Sequence, residues 1–136
     1  MKIMVVDGQG GRLGAALIER LKPKLSPGDH ILAIGTNALA TAAMVKAGAQ
    51  DGVTGENAAR VNAPKVDVIA GGIGILAANS MLGELSEGMA VALSSSDAKK
   101  VVVPVSRCNI LVAGQASMSF NELLDDAVRL ICEGQG

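Results

Sequence analysis

The chain contains no tryptophan, no tyrosine and a single phenylalanine, Phe120. Chemistry that depends on a tyrosine acid is therefore excluded, and so are aromatic platforms for stacking nucleobases. With one histidine, His30, His-rich metal centres and most histidine relays are excluded as well. Charge is also scarce. Twelve Lys and Arg face thirteen Asp and Glu, a formal net charge of −1, which offers no basic face for nucleic acid. The longest apolar run, Val68 to Ala78, covers 11 residues, well short of the ~20 needed to cross a bilayer. Met1 to Val6 meets an acid at Asp7, too early for a secretory leader. These readings predict a soluble, cytoplasmic protein that uses neither membrane nor nucleic acid. The two cysteines, Cys108 and Cys132, form neither a C-x-x-C pair nor a zinc spacing.

What is present is small and aliphatic. Hydrophobic residues make up 49% of the 136, with 21 alanines and 17 glycines. Such a chain buries a real core as one domain, 1–136, without staples. Short apolar runs alternate with helical patterns from end to end. Strands are expected at 2–6, 31–34, 51–53, 66–70 and 100–105, with a sixth at 110–113. Helices are expected at 11–22, 38–47, 56–61, 74–82, 86–97 and 119–132. Thr36 or Asn37 caps the second helix and Gly48 closes it. Ser86 caps the fifth, and Ser119 and Glu122 form a capping box for the last. Strict alternation predicts an α/β fold, a single Rossmann-like doubly wound domain with a mainly parallel sheet of five or six strands.

The first strand runs into Gly8-Gln9-Gly10-Gly11-Arg12-Leu13-Gly14, in which Gly8, Gly11 and Gly14 fit G-x-x-G-x-x-G. Between a strand and a helix, such glycines allow a tight turn, an approach of backbone N–H groups to phosphate, and close helix packing. The helix N-terminus adds partial positive charge. The turn therefore predicts nucleotide binding; a tight βα turn with no nucleotide is the alternative. Val5 to Gly14 resembles the cofactor turn of atypical and extended short-chain dehydrogenases, especially the NAD(P)-binding nitrogen-regulator-like and flavin-reductase-like group. That resemblance covers about the first 35 residues and implies pyrophosphate binding at 8–14. The Tyr-x-x-x-Lys pair of those enzymes is absent, and Asp7 stands where the group carries threonine or alanine. Over nearly its full length the chain resembles a family of small bacterial proteins described only as a domain of unknown function. The stretches Asp7 to Gly11, Gly35 to Thr41, Thr54 to Ala58, Ala78 to Glu84 and Cys108-Asn109 carry this likeness. It implies a Rossmann-like domain and no particular activity.

NAD-binding folds place an acid at the end of the second strand, on the ribose 2′-hydroxyl. Here that position reads Ile34-Gly35-Thr36-Asn37. Arg12, Thr36 and Asn37 can instead meet a 2′-phosphate, so NADP(H) is expected over NAD; a mononucleotide and CoA stay open. In a 3-2-1-4-5 sheet, Gly71, Gly72 and Gly74 after the fourth strand would face the same crevice as the first glycine turn. Cys108 is the one plausible nucleophile, with Arg107 beside it to favour the thiolate, but His30 should lie at the opposite end of the sheet. Two roles remain: a small NAD(P)-dependent oxidoreductase, or a nucleotide sensor or interaction module without catalysis. The apolar residues of 81–93 and of the last helix predict a homodimer or larger homo-oligomer.

Overall fold

In the computed structural model, which describes residues 1–105, 109–115 and 117–134, five strands form one parallel sheet in the order β3-β2-β1-β4-β5. The strands are β1 (Lys2–Asp7), β2 (His30–Gly35), β3 (Asp51–Thr54), β4 (Val68–Gly72) and β5 (Lys99–Val103). The helices are α1 (Arg12–Leu21), α2 (Ala38–Ala47), α3 (Glu56–Asn62), α4 (Glu87–Ser95) and α5 (Phe120–Cys132). The fold class is as the alternation predicts.

The central strands are short apolar runs because both faces of the sheet are covered. Ile3 and Val5 point to one face, where Leu17, Ile18 and Leu21 of α1, Met44 of α2, and Leu124, Val128 and Ile131 of α5 close over them. Met4 and Val6 point to the other, against Ala59 of α3 and Leu85, Met89 and Leu93 around α4. Burying one such side chain contributes about 1.5–3 kcal/mol, so these two layers carry the stability of the domain. Much of the apolar content of 81–93 and of the last helix is thus inside. Leu82, Val91, Phe120 and Leu130 are the large apolar side chains of those segments left exposed.

Three expectations are corrected. The described residues hold no sixth strand: 109–115 form turns and irregular chain, with Leu111 almost fully exposed. The fourth strand runs later than expected, so Gly71 and Gly72 belong to β4 rather than to a loop after it. A Cβ on Gly71 would come within 2.5 Å of Val6 O. Strand β4 therefore needs glycine to lie close beside β1. The expected helix at 74–82 is a single 3₁₀ turn, Ile73–Leu76, followed by tight turns in which Asn79, Met81 and Leu82 are left-handed (φ 65°, 58° and 57°). An α-helix cannot pass through residues in that conformation.

Candidate functional site

In open parallel sheets, ligands lie beyond the carboxyl ends of the strands where strand order reverses, here between β1 and β4. The turn 8–14 leaves β1 at that edge. Gly11 N donates to Gly8 O at 2.9 Å, and Gly11 itself is left-handed at φ 73°. A Cβ on Gly11 would lie 2.8 Å from Ala40 O, against the backbone of α2. On Gly14 it would lie 3.0 Å from Asp7 Cβ, and on Gly8 2.7 Å from Thr36 Oγ1. Gly10 faces open space. Gly11 and Gly14 thus serve close packing of α1, α2 and β1, Gly8 lets Thr36 and Met81 approach the turn, and Gly10 is the one that is sterically free.

Two carboxylates use the donors of this turn. Asp7, 9% exposed, ends β1. Its Oδ1 accepts from Gly8 N at 2.8 Å and its Oδ2 from Gly14 N at 2.7 Å. Helix α1 has no capping side chain and no acid in its first turn, so Asp7 supplies an acceptor for the free N–H groups at its N-terminus. Burial pushes the Asp7 carboxyl above its ordinary value; the N–H groups of Gly14, Gly8 and Leu13 pull it down, and the charge of Glu84 adds to the rise.

Glu84 reaches the same edge from the loop after β4. Its Oε1 accepts from Gln9 N at 2.8 Å, from Thr36 Oγ1 at 2.6 Å and from Asn37 Nδ2 at 2.9 Å. The Thr36 hydroxyl, the Gln9 N–H and the Asn37 amide hold this carboxyl below its usual range. Asn37 serves twice, since its Oδ1 also accepts from Ala40 N to cap α2. Among the described residues, the N–H groups of Gly10 and Arg12 have no partner within the chain. Chemically, this edge is a set of donors for oxyanions.

The structure therefore brings Gly8, Gln9, Gly11, Gly14, Thr36 and Asn37 together. Arg12 is exposed at the start of α1, and Leu13 packs partly buried against the core. Gly72 packs 3.5 Å from Leu13 Cδ1, measured from a Cβ it lacks. Gly74 is buried in the 3₁₀ turn, where Ser80 Oγ donates to its carbonyl at 2.5 Å. Ser106, Arg107 and Cys108 lie outside the described residues. His30 begins β2, at the opposite end of the sheet as expected, with Nε2 2.8 Å from Asp51 Oδ2. The described residues include no cluster of His, Cys, Asp and Glu suited to a metal ion. No described helix is long and apolar enough to cross a membrane.

The family described as Domain of unknown function (DUF3842) matches residues 2–135. The chain belongs to this family. The likeness of the 8–14 turn to dehydrogenases has no counterpart in that match, which carries no activity. No curated protein matches the chain.

The site residue to which the sequence assigns no role of its own is Glu84, although it falls among the polar residues delivered to this edge. It reads as one polar loop residue among several downstream of β4, 48 positions from its Thr36 partner. Asp7 reads as a departure from a dehydrogenase pattern. Its signal was available, because an acid ending a fully apolar strand must find donors, and the nearest are the N–H groups of the turn it enters.

Proposed function

We propose that this protein binds a nucleotide, NADP(H), by its phosphates at the edge formed by Gly8 to Gly14, Thr36 and Asn37. One observation carries the reading: three donors from two separate connections, Gln9 N–H, the Thr36 hydroxyl and the Asn37 amide, converge on a single anionic oxygen. Charge-assisted donors held this way suit a phosphate oxygen as well as a carboxylate. The exposed N–H of Gly10 and the Arg12 side chain extend the same donor surface. Strand β2 carries no acid of its own at its end, which favours the 2′-phosphate form of the dinucleotide.

The role proposed is binding or sensing in the cytoplasm. Calorimetry on the wild-type chain with NADPH, NADH, AMP and CoA tests this. NADPH should bind most tightly, and Thr36→Val, which removes one donor to a charged group, should weaken it by about tenfold or more. Binding of none of the four would end the reading.

Self-association belongs to the same proposal. Leu39, Leu82 and Phe120 are exposed, Leu39 and Phe120 in the first turns of α2 and α5 and Leu82 in the loop after β4. Exposed apolar side chains of this size favour a second copy as cover. Light scattering at micromolar concentration should give twice 13.7 kDa, and a monomer mass would refute it.

A further inference from the structure

We infer that Glu84 is a built-in occupant of the phosphate cradle, carried on a strap, residues 77–86, that a nucleotide phosphate must displace. The inference rests on the nucleotide reading above and names how that site is regulated. Glu84 Oε1 takes the Gln9, Thr36 and Asn37 donors together. An incoming phosphate oxygen therefore finds them engaged, and two anions cannot share them without strong repulsion. Occupation by Glu84 and by ligand is mutually exclusive.

The strap is held together by its own backbone hydrogen bonds. The backbone hydrogen bonds of residues 79–85 stay within 77–85: Asn79 N to Leu85 O at 2.7 Å, Leu85 N to Ser80 O at 3.2 Å, Glu84 N to Met81 O at 3.1 Å and Gly83 N to Asn79 O at 3.1 Å. Its root is fixed by the buried side chain of Leu85 and by Ser80 Oγ on Gly74 O. Its tip, Leu82, is 99% exposed. Two side chains tie the tip to the glycine turn. Met81 rests on Gly8, where a Cβ would meet its Sδ at 2.5 Å, and Glu84 is the polar latch. Glu84 is itself exposed, so rotation of its side chain alone opens the cradle.

A ligand that displaces an internal anion loses affinity to the competition, and removing the competitor restores it. NADPH and inorganic pyrophosphate, titrated calorimetrically into wild type and Glu84→Ala, provide the test, with circular dichroism melts confirming that both chains fold. Glu84→Ala should bind both probes about tenfold more tightly, within the range of typical coupling. Glu84→Gln, neutral but still able to accept the three donors, should fall between. Wild-type binding with equal or weaker binding by Glu84→Ala would overturn the strap and make Glu84 a ligand contact, leaving the nucleotide reading intact. Binding by Glu84→Ala alone would overturn both, since the nucleotide then fails to displace Glu84 in the native chain. Binding by neither chain would overturn both.

Discussion

Gly10 and Gly11 are neighbours with opposite requirements. Gly11 is held at φ 73°, and a Cβ on it would meet the α2 backbone at Ala40 O (2.8 Å) and Ala40 Cα (2.9 Å). Neither backbone atom can swing aside as a flexible side chain would. A Cβ on Gly10 meets nothing within 4 Å. Gly11→Ala should therefore cost about 2–4 kcal/mol, combining left-handed strain with the clash. Gly10→Ala should stay within about 0.5 kcal/mol of wild type. Urea denaturation resolves the two, and equal midpoints would contradict this account of the turn. The G-x-x-G-x-x-G spacing was legible in the sequence, and it selects the glycines that the packing requires. The reason for Gly11 was not legible. Its neighbour is α2, some thirty residues away, and no local pattern shows which helix will pack against a turn.

Helix α1 takes its N-terminal acceptor from the preceding strand. Asp7 meets the Gly14 N–H while it also caps its own turn at Gly8. Its folded pKa is raised, so its contribution to stability is fully present below the unfolded value near ~3.9 and is lost as pH rises through the folded value. Glu84, Asp29 and Glu122 behave oppositely. Their lowered values give stability that is present above the ordinary carboxylate range and lost as pH falls through the depressed values. Carboxyl-resolved NMR should find Asp7 titrating above Glu84. In Glu84→Gln the Asp7 midpoint should fall, because the charge that raises it has gone. An Asp7 midpoint at or below that of Glu84 would contradict this picture. Elements whose signals are local were readable: the Ser119–Glu122 capping box of α5, the Asn37 cap of α2 and the Ser86 cap of α4 all form. The 74–82 segment was not readable. Its Ile75, Leu76, Met81 and Leu82 mimic a helical stripe, but the chain there turns tightly to deliver Glu84 to the far side of the crevice.

At the scale of the molecule, the alternation of strands and helices and the parallel sheet follow from hydrophobic period and crossover handedness, and the strand order is the doubly wound β3-β2-β1-β4-β5. The second glycine loop does not survive as a loop. Gly71 and Gly72 extend β4, and the residue that completes the edge is an acid from the strap. Such a contact joins β1, β2 and the post-β4 segment across long sequence separations, where composition and spacing hold no information. The whole arrangement then centres on one claim, that this edge receives a nucleotide phosphate. Backbone amide NMR during titration of the wild-type chain with NADPH tests it most directly. The account predicts the largest saturable shifts at Gln9, Gly10, Arg12, Thr36 and Asn37, with Glu84 perturbed as it leaves. Absence of saturable shifts at millimolar NADPH, or shifts confined to the surface groove around Arg60, Val91 and Ala98 at the other end of the sheet, would contradict it.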